Sequence, residues 1–529
     1  MCKEKSPKCR FCKEITARDK KMSVGYAFLK EKLGLSAFDP SRPALIKPTT
    51  RLERNVDHLA VPARIAPKSD HPVDHLLFAL KHEDMELALL MEAMRKVSGN
   101  DVLAEVTRTP SGQYTRQLGF FWEEAHGRRL EGAPVATGAV VDIFDPKRYV
   151  TVPGAASMPF WRVRWNGLGT TRWCATVSRT PLIERAMASD LPGRVRAYAE
   201  GLTGAVRERA LSFAYLSETR SSFAIENEVP SEQRQAAFVA LLHAAHKENP
   251  LTEAYLTDLQ QATISNVLDR ALGFRIEQNY LANSLPGAAG VTYVPPPPGA
   301  VGDLMAEMMS FANAMPAAID PIIAGAISAF GFVFIHPFMD GNGRLSRFLI
   351  HHALCQSGAL NSGLILPISV AMKKHENEYL DALKAFSVPA RERWNVTWLD
   401  GDDFEFEYLG SDGLELYRYW DATRAVEFTY QMAEQALAVE LRTNVEYLER
   451  YDFVSRKVNE LVDIRGSDLA VLIRGALEQQ GAVSKRRREQ FGSRVETKAF
   501  DLIEDFAKQA LARDPEALAD EPGDDMPEG

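Results

Sequence analysis

Apolar positions along the chain recur mainly at helical spacing, and the most apolar stretch lies past the middle. Pro321 to Ile335 runs 15 residues without a charge, between Asp320 and His336. Crossing a bilayer takes about 20 such residues, so the stretch reads as a buried central helix. Its small residues Ala324, Gly325, Ala326, Ala329 and Gly331 allow neighbouring helices to approach closely. Beyond a short glycine-containing turn, Leu345, Phe348, Leu349 and Ala353 resume the helical period, with Arg344, Arg347 and His351 on a different face.

The rest of the chain sorts by the same test. Val73 to Met94 predicts two short helices broken near Glu83 and Asp84, and Arg116 to Arg129 a helix ending in a glycine turn. Val140 to Val152 and Trp161 to Val177 are rich in β-branched and aromatic residues interrupted by Pro and Gly, which predicts short strands or extended loops. From Pro181 the pattern is helical again, through a segment that carries Ser222 and Glu226 one turn apart and closes at Pro230. Arg234 to His246 is amphipathic, Val291 to Val294 alternate like a strand before four prolines, and Asn377 to Phe386 is helical. Acidic Asp400 to Glu407 reads as a loop, Asp421 to Asp463 as continuous helix, and Asp468 to Glu489 as helix, turn, helix. The fold class that follows is mainly α, with a mixed α/β N-terminal region and a helical C-terminal appendage.

Composition changes this picture little. The 529 residues, 46% apolar and 25% charged, are enough for two to four domains with real cores and exclude a wholly disordered chain. A formal charge of -9 argues against a protein that coats nucleic acid. The N-terminus lacks the apolar core of a secretory signal, and five sparse cysteines favour reduced thiols, so a cytoplasmic location is expected. Residues 1–22 read as a flexible basic start. Cys2, Cys9 and Cys12 there supply three of the four ligands a structural zinc wants, with no fourth before His58. Residues 514–529 read as a disordered acidic tail.

The chemistry concentrates in Ile335 to Ile350, I-H-P-F-M-D-G-N-G-R-L-S-R-F-L-I. Gly341 and Gly343 allow positive φ and can turn backbone N–H groups toward an anion, and Asn342 tolerates the same region. The loop feeds a helix N-terminus, which favours negative charge, and two arginines can fork onto phosphate oxygens. With His336 adjacent, this is a phosphate site with a base beside it. Other candidates have plainer readings. Trp161, Arg162, Arg164 and Trp165 could stack on a base but suit aromatics covering a small sheet. His243 and His246 lack the pattern of a zinc protease. Lys485 to Arg488 could meet DNA within residues 465–495, or form a solvated charged face.

With His336, Phe338, Asp340, Gly341, Asn342, Gly343, Arg344 and Arg347 in hand, the chain resembles the Fic (Fic/Doc) family, whose signature is H-x-F-x-[D/E]-G-N-G-R-x-x-R, and every specified position matches. Looser likeness runs from about Ala197 to Asp400. The resemblance implies a Fic-type helical core over residues 196–400, a short β-hairpin flap at Gly290 to Pro298 that docks the target through Gly290, Val291, Thr292 and Tyr293, and an inhibitory helix near 218–230. Ser222-x-x-x-Glu226-Asn227 is similar to the family's inhibitory motif [S/T]-x-x-x-E-[G/N], placed N-terminal to the histidine. Residues 23–195 would then be an N-terminal mixed domain without assigned role, and residues 401–513 a helical C-terminal region.

The activity implied is nucleotidyl transfer, moving AMP from ATP to a Ser, Thr or Tyr hydroxyl of a protein, either an unidentified target or the chain itself. His336 would take the proton from the attacking hydroxyl, and Asp340 would be the Mg2+ ligand. Backbone N–H groups at Gly341, Asn342 and Gly343 would cradle phosphates. Arg344 and Arg347 would hold the β- and γ-phosphates, and Glu226 would reach Arg347 and block the γ-phosphate position. Removal of AMP, transfer of another phosphate-containing group, a toxin-like switch acting on itself, and a DNA-binding or regulatory role for the C-terminal helices remain as alternative readings. No membrane association is expected, and a homodimer is left open.

Overall fold

The computed structural model describes residues 23–513, apart from 203, 248, 265–268, 361–362 and 402. The basic start with Cys2, Cys9 and Cys12 and the acidic tail lie outside the described residues. The remainder is mainly helical, with only small sheets among the described residues. The chain forms two compact units, and they interleave. One is built from residues 23–189, 244–359 and 376–430, the other from 190–243, 360–375 and 431–513.

In the first unit, the predicted N-terminal elements form as expected. Helices Pro72–His82 and Leu87–Lys96 flank the break at Glu83, and Gln113–His126 ends on Gly127 in the left-handed region. Trp161 is core, not a base-stacking surface: it is 2% exposed and its Nε1 donates to Glu123 Oε2 at 2.8 Å. It packs so closely on the Gln113–His126 helix that a Cβ at Gly119 would lie 2.2 Å from the indole. Arg164 pairs with Asp142 at 2.8 Å, so the aromatic and arginine cluster is accounted for by packing and a surface ion pair.

The first unit draws on residues far apart in the chain, and backbone pairing gives the reason. Tyr419–Asp421 adds in parallel to Cys174–Thr176, itself paired with Leu168–Gly169, so the chain returns late to finish an early sheet. Arg95 donates to buried Glu415 at 2.5 Å across the same join. Asp400 to Glu407 is also not a loop. Trp394–Asp400 and Asp403–Tyr408 form an antiparallel hairpin. Its charges alternate with Phe404, Phe406 and Tyr408, which pack with Tyr280, Val291, Val294 and Trp394, and that period of two outweighs the acidic composition.

The helix at the centre of this unit, Pro321–Ile335, is buried along its length except at Pro321 and Val333. It packs on the next helix, Asn342–Gln356, where a Cβ at Gly325 would lie 3.2 Å from Ile350 Cα. On Asn342–Gln356, Arg344, Arg347, His351 and His352 are as buried as Leu345 and Phe348. No helix among the described residues is long and apolar enough to cross a membrane.

The second unit contains helix Gly204–Ile225, on which Glu218, 1% exposed, accepts from Ser369 N at 2.8 Å and Ser369 Oγ at 2.5 Å. Helices Arg442–Asn459, Gly466–Glu478, Lys485–Phe491 and Thr497–Ala512 enclose a core of Phe453, Val458, Leu472, Ile473, Phe500 and Ile503. The helix-turn-helix expectation is met in shape. Its basic run is partly answered within the unit, since Arg488 pairs with Asp501 at 3.0 Å and Glu504 at 2.8 Å.

Candidate active site

The central helix ends because His336 takes φ 52°, ψ 61°, a left-handed conformation that costs a non-glycine residue energy and must be held by its surroundings. His336 N still bonds back to Phe332 O at 2.8 Å, and Nδ1 lies 3.1 Å from Val333 O. A carbonyl can only accept, so in the neutral ring the proton sits on Nδ1 and the lone pair on Nε2. This is the arrangement a general base requires.

The next residues form a tight loop stapled from within. Phe338 is fully buried against Phe274 and Phe332. Asn342, 2% exposed, accepts from Phe338 N through Oδ1 at 3.0 Å and donates to Phe338 O through Nδ2 at 2.8 Å. Its side chain holds the loop, so any phosphate contact at Asn342 is left to the backbone. Gly341 takes φ 90°, with its N–H donating to Asp340 Oδ1 at 2.5 Å. Asn342, Gly343 and Arg344 then occupy the first helical turn, where N–H groups have no intrahelical acceptor. Arg344, 1% exposed, reaches Asp340 at 3.3 Å and Thr263 O at 3.4 Å, while the Asp340 side chain stays 55% exposed. Arg347 lies one turn further on and is 2% exposed. The loop thus brings His336, Asp340, Gly341, Asn342, Gly343 and Arg344 together around one helix N-terminus.

Comparison with known proteins agrees with this loop. Residues 250–354 match the Fic/DOC family. That stretch is similar to a Fic domain. Over 93 residues the chain is 36% identical to protein adenylyltransferase Fic of Aedes aegypti, 17% of each chain, and over 144 residues 29% identical to that of Drosophila willistoni, 25% of this chain and 26% of the other. The chain therefore spans about a sixth to a quarter of the length of the curated relatives it matches. Solved structures that resemble it include a Fic family protein from Desulfovibrio desulfuricans G20, at 18% identity over 60% of this chain and 94% of that one with a TM-score of 0.37. Another is Fic-1 from C. elegans, at 16% identity over 69% and 98% with a TM-score of 0.29.

The predicted flap segment pairs into a hairpin whose two strands differ in exposure. Leu281–Ala282 pairs antiparallel with Val291–Tyr293. Val291 and Tyr293 point inward, Tyr293 donating to Phe334 O at 2.5 Å, and Arg391 Nε donates to Val291 O at 2.9 Å. Only Thr292 of that strand is exposed, whereas Leu281 and Ala282 both are. Gly290 is required for close approach, since a Cβ there would lie 2.0 Å from Leu285 O. Val291 and Tyr293 are therefore buried for the same reason that Val294 is: the hairpin is packed on Trp394 and the central helix.

In the second unit, helix Gly204–Ile225 ends in a left-handed cap. Glu228 N bonds to Phe223 O at 3.1 Å and Asn227 N to Ala224 O at 3.0 Å, with Asn227 at φ 57°. These are the two bonds of a Schellman cap, which explains in backbone terms why the motif takes Gly or Asn after its glutamate. Ser222 is fully buried in that last turn, and Glu226 lies immediately beyond it.

Three supporting residues had no signal in the sequence. Gln260, fully buried, donates to Asp340 O at 3.2 Å. Asn279 Nδ2 lies 3.1 Å from both Phe338 O and Met339 O. Arg275 contacts the carbonyls around His336. Each acts on backbone from 59 or more positions away, which periodicity and local motifs cannot reveal. Further along helix Asn342–Gln356, burial pushes His352 down to about 4 and Cys355 up to about 12. Among the described residues no three His, Cys, Asp or Glu side chains group to hold a metal.

Proposed function

We propose that this protein transfers the AMP part of ATP to a hydroxyl of a protein, either a target or its own chain, and that Glu226 restrains the reaction. The observation that carries the reading is the complete His336 to Arg347 loop, with His336 Nδ1 held against Val333 O and Nε2 the ring nitrogen left to act as base. Curated relatives that match part of this chain bear the name protein adenylyltransferase. In the reaction, the acceptor oxygen bonds to the α-phosphorus as Nε2 takes its proton. The bond from that phosphorus to its bridging oxygen breaks, and pyrophosphate leaves. First-turn N–H groups at Asn342 and Gly343 bear on the charge developing at phosphate, and Arg347 on the γ-phosphate.

The donor set at Asp340 fits Mg2+, which commonly takes one or two carboxylates with phosphate oxygens and water completing its shell. Asp340 is a single, half-exposed carboxylate beside the helix N-terminus, and bound there the ion would neutralise charge shared by the α- and β-phosphates. Glu226 directly follows a helix whose left-handed cap fixes where it begins. On the family resemblance it competes with the γ-phosphate for Arg347.

Incubating wild type, Glu226→Gly and His336→Ala with Mg2+ and α-labelled ATP tests both parts. Glu226→Gly should label itself more strongly than wild type, and His336→Ala should not label. Equal labelling of wild type and Glu226→Gly removes the restraint while leaving the transferase, and labelling of His336→Ala removes the base. An added mass other than AMP redirects the reading to another nucleotide or phosphate group.

A further inference from the structure

Arg275 has an unusual situation for an arginine. It is 5% exposed, and its guanidinium meets backbone carbonyls: Nε to His336 O at 2.8 Å, Nη1 to Glu277 O at 3.0 Å, and Nη2 to Pro296 O at 2.6 Å and Ile335 O at 3.4 Å. Its own N–H donates to Pro337 O at 2.7 Å. One residue therefore engages the carbonyls of three consecutive positions, 335 to 337, at the C-terminus of the central helix. Carbonyls at a helix end lack intrahelical donors, and the end of the dipole is negative, so a cation with a fork of donors suits the position. Burial lowers the guanidinium to about 10, which leaves it charged at neutral pH.

The same guanidinium ties two structures that the chemistry must keep in register. Pro296 lies just past the flap strand Val291–Tyr293, and Glu277 just before its partner strand Leu281–Ala282. His336 is the residue in left-handed conformation whose side chain offers Nε2. Tyr293 O–H to Phe334 O and Tyr417 O–H to Val294 O brace the same join, but neither touches a carbonyl of residues 335 to 337. The phosphate-binding turn is held separately, through Asn342 to Phe338 and Gln260 to Asp340.

We propose that Arg275 is a positioning residue that holds His336 in its left-handed conformation at a fixed distance from the flap, so that the base and an acceptor hydroxyl delivered along the flap meet in register. The inference rests on the transferase reading above. Its expected signature is selective. Removing the fork leaves the ATP-holding turn in place, so KM for ATP stays within about twofold. The turnover number falls about 10- to 100-fold, the scale of a misplacement near 1 Å.

The test uses the full chain in the Glu226→Gly background, with Arg275→Lys and Arg275→Met. Lysine keeps the charge and can reach one carbonyl but lacks the fork, so its turnover should fall between those of the parent and Arg275→Met. The second readout is the His336 ring resonance in protein carrying 13C-labelled histidine, identified by its loss in His336→Ala. It should move in both variants without ATP present. Were the arginine merely structural, the concentration of folded, ATP-binding protein would drop while turnover per bound ATP and the His336 resonance stayed at parental values; that outcome overturns the proposal. If Arg275→Met does not fold, Arg275→Lys decides. Failure of the Glu226→Gly parent to label would overturn the transferase reading instead, and the unliganded His336 resonance then decides on Arg275 alone.

Discussion

Replacing Asn342 with alanine separates two roles that a motif cannot distinguish. If the side chain served phosphate, its loss would weaken ATP binding and leave stability alone. The structure assigns the side chain to Phe338 instead, with two buried bonds at 3.0 and 2.8 Å. Their loss is unequal. Phe338 O keeps the Asn279 donor at 3.1 Å, so losing one of two donors there costs about 0.5–1.5 kcal/mol. Phe338 N–H loses the acceptor the structure shows for it and is buried, which costs about 1–3 kcal/mol. Asn342→Ala should therefore destabilise the chain by about 1.5–4.5 kcal/mol. Asn342→Asp keeps an acceptor for Phe338 N–H but sets a carboxylate oxygen against Phe338 O. Its deficit should shrink on acidification, because a protonated carboxyl can donate to that carbonyl. Urea denaturation at pH 7 and pH 5 measures both, with calorimetric titration of ATP in the Glu226→Gly background alongside. A loss under about 0.5 kcal/mol together with weakened ATP binding would refute the staple.

Two further outcomes follow from the same coordinates. His352 is 2% exposed with its pKa lowered from 6.5 to about 4, so the neutral form is favoured on folding; stability should be full above pH 6.5 and be lost as pH falls toward 4, by at most about 3 kcal/mol, and the slope of denaturation free energy over that window should flatten in His352→Asn. Asn227 is left-handed at φ 57°, so Asn227→Gly should leave thermal unfolding unchanged or slightly raised, whereas Asn227→Val should lower stability by about 1–2 kcal/mol.

Where a local rule governs, sequence and structure agree. The uncharged run Pro321 to Ile335 is a buried helix, the break near Glu83 separates two helices, and Gly127 ends another. The rule fails where one local signal overrides another. Acidic Asp400 to Glu407 looks like a loop by charge but is a strand by its alternating aromatics. Val291 to Tyr293 is a strand, as its alternation predicts, yet which edge faces outward depends on Trp394 and Arg391, about 100 residues later. The late return of Tyr419–Asp421 to a sheet begun at Leu168 is hidden from local patterns for the same reason.

The candidate active-site loop sharpens this division between chemistry and support. Its reactive residues lie within twelve consecutive positions, His336 to Arg347, because a turn into a helix N-terminus is itself local. A left-handed histidine and a left-handed glycine in one short loop are not stable on their own, however, and the restraint comes from Gln260, Arg275 and Asn279. All three precede the central helix and fall inside residues 250–354, the span that matches the Fic/DOC family. The unit that must fold for this chemistry therefore begins well before the motif. A fragment starting at Ala300 would retain every reactive side chain of the loop yet lose each of these three distant restraints on its backbone, and it should be inactive for want of geometry and not of chemistry.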